Sequence, residues 1–101
     1  MIETTTSQTA AAVDTAQIVD VREDFEVAEG MMPGARHIPM GQIADRLGEL
    51  DKSRPVHVVC RSGNRSGRVA EALESLGFEV YSMAGGMMQW QAEGRPTVSP
   101  A

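Results

Sequence analysis

Cys60 is the residue of this chain best suited to covalent chemistry. It is the only cysteine among 101 residues, and it ends the apolar run VHVVC that starts at Val56. The run is followed by RSGNRSGR and then by good helix formers, which predicts a strand, a loop and a helix over residues 56–76. In parallel α/β sheets, ligands bind at the carboxyl ends of the strands, where this thiol would lie. Cys60 is therefore a candidate nucleophile, although a free cysteine can equally be an inert core residue.

Arginines that follow Cys60 would favour its ionised form. The thiolate is the nucleophile, and its pKa, roughly 8.5 in a free cysteine, falls beside cations and at helix N-termini. Arg61, Arg65 and Arg68 all lie at or near the predicted helix start. Basic groups there oppose the helix dipole unless an anion binds close by. We expect Arg61 and Arg65 to serve the site and Arg68 to lie on the surface.

The small and polar residues of the loop predict a cradle for an anion. Gly63 and Asn64 are residue types that tolerate a positive φ, so the loop can curl and direct its backbone amides at one centre. Ser62 and Ser66 can donate hydroxyl hydrogen bonds to that centre. Such a cradle would hold the Cys60 thiolate together with an anionic sulfur or oxyanion substrate.

The elements that would position this loop alternate between strand and helix. Alternation at short intervals predicts an α/β fold with a small, mostly parallel sheet of about five strands and helices on both faces. The predicted strands are residues 2–5, 17–21, 35–38, 56–60 and 79–83. The predicted helices are residues 6–13 (capped by Thr6 or Ser7), 23–29, 42–50, 66–76 and 87–93. We expect the tail, residues 97–101, to be frayed.

Composition narrows the classes of function. The length fits one domain over residues 1–101, and the net charge of −5 argues against a nucleic-acid partner. Aromatic residues make up only 4% of the chain, too few for a stacking platform. The chain shows no apolar run of bilayer length and no signal-peptide core, so we expect no membrane partner. A lone cysteine is typical of a protein in the reducing cytoplasm.

Several segments resemble one known family. The loop CRSGNRS at residues 60–66 resembles the active-site loop of the rhodanese (sulfurtransferase) family. VDVRE at residues 19–23, GMMPGARHIP at 30–39 and GFEVYSMAGGMMQW at 77–90 are similar to further motifs of that family, in the same order. The resemblance covers about residues 18–96 and implies a single rhodanese-like domain. Met31 stands where the family usually has a histidine.

The resemblance implies a sulfurtransferase that works by ping-pong covalent catalysis. Cys60 would accept a sulfane sulfur from a donor such as thiosulfate and hold it as a persulfide. A thiophilic acceptor would then remove it: cyanide in assays, a thiol or a protein in the cell. The substrate-binding residues would be those of the loop after Cys60, and no cofactor or metal is implied. These residues are Arg61, Ser62, Gly63, Asn64, Arg65 and Ser66.

Other functions stay open at this point. A rhodanese-like domain can be a docking or sensing module without turnover. Related phosphatases and arsenate reductases have a Cys-x5-Arg loop, whereas Cys60 and Arg65 are spaced as Cys-x4-Arg. The shorter loop suits a single terminal sulfur better than a tetrahedral oxyanion, so the phosphatase or reductase alternative is less favoured.

Three further polar positions have mainly structural interpretations. Asp20 lies in an apolar run, and a buried carboxylate needs a partner, which Arg22 or Arg36 could supply. His57 lies within the predicted central strand, where we expect it to pack rather than to bind a ligand. The scattered His and Cys residues do not form the pattern of a metal site.

The motif Gly-Met-Met occurs twice. It spans residues 30–32 and 86–88, both in segments that the resemblance brings to the active-site side. Methionines fill irregular core gaps, and they also suit promiscuous binding surfaces. Our hypothesis is that one or more of Met31, Met32, Met87 and Met88 form a rim around Cys60 where an acceptor docks.

Overall fold

A single parallel sheet forms the centre of the protein, whose computed structural model describes residues 2–100. Its five strands run in the order β1-β5-β4-β2-β3, and every pairing between them is parallel. The prediction of a five-stranded α/β sheet is confirmed. The strands are β1 (Ile2–Thr4), β2 (Gln17–Asp20), β3 (Arg36–His37), β4 (Val56–Val59) and β5 (Val80–Met83).

Helices cover both faces of the sheet. One face carries α3 (Asn64–Ser75) and two 3₁₀ segments, Met40–Gln42 and Ala44–Glu49. The opposite face carries α1 (Thr6–Ala12) and α4 (Gly86–Ala92). The short helix α2 (Asp24–Val27) follows β2.

The alternation of side chains along the strands divides the core in two. On β4, Val56 and Val58 pack towards α3, whereas Val59 packs towards α4. All four residues of β4 are buried, as expected for the central strand of a parallel sheet covered on both faces. The Cys60 side chain continues the alternation and joins the core on the α3 side. The cysteine is thereby placed between the sheet and the start of α3.

The polar residues of the core have the partners that their burial requires. Asp20 is fully buried, and both of its carboxylate oxygens accept hydrogen bonds from Arg22, the shortest at 2.8 Å. Arg36, the alternative partner, instead pairs with Glu49 on the surface. His57 is buried with Nδ1 3.0 Å from the hydroxyl of Thr9 on α1. The structural interpretations of Asp20 and His57 are therefore confirmed.

Residues 42–50 differ from the predicted α-helix. They form the 3₁₀ segments, and Arg46 leaves helical geometry at φ −119°. The predicted apolar face is present, because Ile43 is buried and Leu47 and Leu50 pack against the same core. The glycines at 41 and 48 weaken an α-helix here. Shorter turns therefore bury the same side chains.

Several element ends also differ from the prediction. Thr5, rather than Thr6 or Ser7, caps α1, and its hydroxyl accepts a hydrogen bond from the Gln8 amide within a capping box. Helix α3 begins at Asn64, two residues before the predicted start. The tail was expected to fray from residue 97, but Val98 exchanges two backbone hydrogen bonds with Met31, so that prediction is wrong for Val98. Ala101 lies outside the described residues.

Candidate active site

The Cys60 sulfur lies under the turn that joins β4 to α3. Gly63 caps α3 with a φ of +109°, a conformation that favours glycine. This turn brings the Gly63 amide to 3.0 Å from the sulfur, to which it donates a hydrogen bond. The positive φ predicted for Gly63 is confirmed, whereas Asn64 has no positive φ and begins the helix. Cys60 is only 1% exposed, so the turn covers most of its sulfur.

A chain of hydroxyl groups continues from the sulfur into the core. The Cys60 thiol donates to the Ser66 hydroxyl at 3.4 Å, and that hydroxyl donates to the carbonyl oxygen of Gly63 at 3.1 Å. The hydroxyl of Ser82 on β5 lies 2.7 Å from that of Ser66. Ser66 and Ser82 are both fully buried. The predicted role of Ser66 as a hydrogen-bonding neighbour of the sulfur fits this geometry, whereas Ser82 did not emerge from the sequence.

These surroundings change the pKa of Cys60 in opposite directions. Burial raises the pKa of the thiol, because a thiolate loses solvation in the core. The Ser66 hydroxyl and the backbone amides of Ser66, Gly63 and Ser62 lower the pKa by hydrogen bonding to the charged form. The hydrogen bonds prevail, and the pKa of Cys60 lies below its ordinary value. The site therefore favours the nucleophilic thiolate.

Arg65 is held by a partner that the sequence did not indicate. Its guanidinium makes a bidentate ion pair with Glu26 on α2, with N–O distances of 2.6 and 2.7 Å. Hydrogen bonds from Arg65 hold the pKa of Glu26 at about 2. The same pairing raises the pKa of Arg65, and attraction to the Cys60 thiolate adds to the rise. Arg65 therefore contributes a fixed, partly neutralised positive charge to the site.

Arg61 is the more available cation. Its side chain is exposed and makes no ion pair within residues 2–100. It lines a cavity of about 150 Å³ beside the cysteine loop, together with Glu29, Met88 and Gln91. Glu26, the partner of Arg65, also lines this cavity, so it contains charges of both signs. Arg68 is also exposed but lines a different groove, between α3 and the 3₁₀ segments.

Helix α4 fixes the loop from the opposite face of the sheet. The Met87 amide donates to the Cys60 carbonyl oxygen at 2.8 Å, and the Met88 amide donates to that of Arg61 at 3.0 Å. Gly86 permits this close approach, because a Cβ there would collide with the backbone of Cys60 and Arg61. The loop that supplies the Gly63 amide to the sulfur is thereby tied to α4 at its first two residues.

The remaining loop side chains lie away from the sulfur. The side chains of Ser62 and Asn64 are exposed, and within residues 2–100 neither makes a hydrogen bond to Cys60. The backbone amide of Ser62 does contribute to the site, because it lowers the pKa of Cys60. The predicted Ser62 hydroxyl bond to this centre is therefore not formed.

The methionines mostly pack in the core. Met31, Met32 and Met87 are buried, so the hypothesis of a methionine rim is wrong for these residues. Met88 is 53% exposed and borders the cavity that Arg61 lines. Phe25, which is 75% exposed, borders an adjoining cavity with Arg61 and was missed in the sequence. The burial of Met31 indicates that the residue in place of the family histidine fills the core.

The described part of the chain has neither a cluster of metal ligands nor a membrane-spanning helix. Within residues 2–100 no group of three or more His, Cys, Asp or Glu side chains is placed to hold a metal ion. Among the helices of the same residues, none combines the length and apolar character needed to cross a bilayer.

The parallel sheet with a cysteine loop at the end of its central strand defines a rhodanese-like domain. The profile of that family, described as Rhodanese-like domain, matches residues 5–93. The chain therefore belongs to the rhodanese family, and the resemblance noted in its motifs is confirmed. The match also includes residues 5–17, before the segment in which the motifs were visible.

Individual relatives agree with this assignment. The putative sulfurtransferase YtwF of Bacillus subtilis is 48% identical over 79 residues, covering 78% of this chain and 77% of that protein. The thiosulfate sulfurtransferase GlpE of Pseudomonas aeruginosa is 38% identical over 78 residues, covering 76% and 71% respectively. The crystal structure of a rhodanese-like domain protein from Staphylococcus aureus is 36% identical, with a TM-score of 0.90 and full coverage of both chains.

Proposed function

We propose that this protein is a sulfurtransferase that carries a sulfane sulfur on Cys60. The observation that carries the proposal is the placement of the Cys60 sulfur, which accepts a hydrogen bond from the Gly63 amide and lies beside the Ser66 hydroxyl. The pKa of Cys60 lies below its ordinary value because those hydrogen bonds outweigh burial. The family assignment and the sulfurtransferase names of the relatives support the same activity.

In the first half-reaction the Cys60 thiolate attacks the outer sulfur of a donor such as thiosulfate. A new S–S bond forms on Cys60, the S–S bond of the donor breaks, and its electron pair leaves with sulfite. The product is a Cys60 persulfide that bears a negative charge. Arg61 and the paired Arg65 provide positive charge for the dianionic donor and for the departing sulfite. The loop amides stabilise the persulfide.

In the second half-reaction a nucleophile removes the outer sulfur. Cyanide or a thiolate attacks it, the S–S bond to Cys60 breaks, and the electron pair returns to Cys60 as a thiolate. Thiocyanate or a new persulfide leaves. Cys60 is the only cysteine, so the acceptor thiol comes from another molecule. Two half-reactions through a covalent intermediate constitute ping-pong catalysis. We propose that this cycle runs in the reducing cytoplasm, where acceptor thiols stay reduced.

The docking of a protein acceptor is proposed at the cavity that Arg61 lines. Met88 borders this cavity and Phe25 borders the adjoining one. Both are exposed apolar side chains, and the cation that lines both cavities has no ion pair within residues 2–100. This combination suits a thiol-bearing protein whose surface near the thiol is apolar and carries a carboxylate. The acceptor role proposed for a methionine is thus limited to Met88.

Intact-mass measurement after incubation with thiosulfate tests the proposal. We expect the mass to rise by one sulfur atom, and to return to the original value when cyanide is added. Cys60→Ser is the matched control, since one atom changes and the fold is preserved, and this variant should show no gain. An unchanged mass in the parent protein, with Cys60 still open to an alkylating reagent, would contradict thiosulfate transfer and favour a docking module.

A further inference from the structure

Ser82 has a buried hydroxyl close to the cysteine turn that the proposed sulfur transfer does not use. It lies on β5, is 1% exposed, and pairs in register with Val58 of the neighbouring strand β4. A hydroxyl in such a position is costly to bury unless it is hydrogen-bonded. Its hydroxyl oxygen lies 2.7 Å from that of Ser66. The short distance makes Ser66, and through it Cys60, the group on which Ser82 acts.

The direction of the hydrogen bond between the two serines follows from counting protons. Each hydroxyl has one proton and two acceptor sites. Ser66 donates its proton to the carbonyl oxygen of Gly63 while it accepts from the thiol of Cys60. The remaining acceptor site of Ser66 faces Ser82, so the proton between the serines comes from Ser82.

When Cys60 loses its proton, only the Ser66 hydroxyl has to change the direction in which it donates. The thiolate has no proton to donate, so the Ser66 hydroxyl can rotate and donate to the sulfur. The Gly63 carbonyl oxygen remains satisfied, because it also accepts from the Gly67 amide at 3.2 Å. Ser82 continues to donate to Ser66, which keeps the proton of Ser66 pointing away from β5 and towards the sulfur.

We infer that Ser82 is a positioning residue that directs the Ser66 hydroxyl to the ionised sulfur of Cys60. It acts through Ser66 and does not contact the substrate. This role of Ser82 rests on the proposed function, because sulfur transfer is what requires Cys60 to be a thiolate. Its test measures the thiol itself and does not depend on sulfur transfer.

The other groups that influence this ionisation lie on different elements. Arg65 on α3 is paired with Glu26 of α2, and Arg61 is exposed in the loop. Asp20 of β2 is neutralised by its ion pair with Arg22. Helix α4 contains no ionisable side chain. None of these groups contacts Ser82, so its replacement leaves the charges around the sulfur in place.

Titration of the thiolate by its ultraviolet absorbance tests this role. Cys60 is the only cysteine, so the signal belongs to one group. Tyr81, the only tyrosine, ionises later, because its hydrogen bond to Glu79 raises its pKa. In Ser82→Ala we expect the titration midpoint to move to higher pH, with an acid ionisation constant of Cys60 about threefold smaller, the effect of one hydrogen bond of ordinary strength.

A double-mutant cycle separates positioning from a structural effect. If Ser82 acts through Ser66, then Ser82→Ala should cause no further shift in protein that already carries Ser66→Ala. Ser75→Ala removes an exposed serine of α3 and should titrate like the parent protein. Denaturant unfolding of each variant confirms that the titrations report folded protein.

Two results would overturn the inference. One is a titration curve of Ser82→Ala that superimposes on that of the parent. The other is an equal shift with and without Ser66, which would show that Ser82 acts independently. Thiosulfate loading of the same samples keeps the two proposals apart. A shifted curve without persulfide contradicts only the proposed function, whereas persulfide formation with an unshifted curve contradicts only the role of Ser82.

Discussion

Two groups of residues around the cysteine loop use different kinds of interaction. The inner wall, formed by Gly63, Ser66 and Ser82, is buried at its two serines and surrounds the sulfur with neutral hydrogen-bonding groups. The outer wall, formed by Arg61 and Met88, faces solvent with an exposed cation and an exposed apolar side chain. The difference indicates a division of labour. We propose that the inner wall sets the reactivity of the sulfur and that the outer wall selects what reaches it.

The ion pair of Arg65 and Glu26 lies between these walls. An arginine next to a thiolate attracts it, but a free guanidinium would also attract any passing anion. Glu26 engages two of the five N–H groups of Arg65 and offsets its charge. The sequence predicts that Arg65 contacts the substrate directly. This stays a prediction, and the contact would use the remaining N–H groups of Arg65.

Removing a hydroxyl from the inner wall should have the largest effect. Ser66→Ala deletes a donor to the thiolate, so the pKa of Cys60 should rise. Formation of the persulfide at neutral pH should slow about tenfold to hundredfold, because a hydrogen bond to a charged group contributes ~1.5–3 kcal/mol. The loss should shrink as pH rises above the pKa of the variant. Rates of persulfide formation measured across a pH series test this, and a loss that is independent of pH would contradict it.

A change in the outer wall should act on the donor instead. Arg61→Ala should raise the KM for thiosulfate about threefold to fivefold, the range of exposed charge interactions, and leave the pKa of Cys60 unchanged. The difference should narrow at high salt, which screens the attraction. Arg68→Ala removes an exposed arginine from another groove and serves as the matched control. Steady-state kinetics at two ionic strengths would reveal the effect, and equal KM values for both variants would remove Arg61 from the site.

The smallest effect should appear at Met88 and only for large acceptors. Met88→Ala should lower the rate of transfer to a protein thiol such as reduced thioredoxin about twofold, since part of an exposed apolar contact is lost. Transfer to cyanide should not change. Leu76→Ala is the matched control, because Leu76 is 48% exposed on the groove side of α3. Equal losses with cyanide and thioredoxin would show that Met88 supports the loop rather than docking.

The parts of the site that could be predicted from the sequence are those that lie close together in the chain. Cys60, Gly63 and Ser66 fall within one turn, so residue types and local geometry are enough to relate them. Glu26 and Ser82 reach the site from other elements, 39 and 16 residues away from the partners they contact. A single glutamate in an acidic helix and a single serine in a strand carry no local signal of those contacts.

The fold shows the same limit. Alternation of strands and helices correctly indicated the parallel sheet, because the inner strands β2, β4 and β5 each carry buried apolar side chains. Apolar spacing alone did not distinguish an α-helix from the 3₁₀ segments around Ile43, since both place the same side chains on the core. The second Gly-Met-Met motif lies beside the cysteine loop, as predicted. The burial of Met87 and the exposure of Met88 depend on which side of α4 packs on the sheet, and the sequence did not show this.

The attachment of the cysteine loop to α4 also sets how often the site can open. The amide protons of Met87 and Met88 are bound to the carbonyl groups of Cys60 and Arg61. Their exchange with deuterium therefore reports the lifetime of the closed loop without any label on the sulfur. Because α4 is packed on the far face by Met87 and Trp90, we expect these protons to exchange more slowly than those of an exposed loop. The geometry of the cysteine loop would then last as long as its attachment to this layer of the fold.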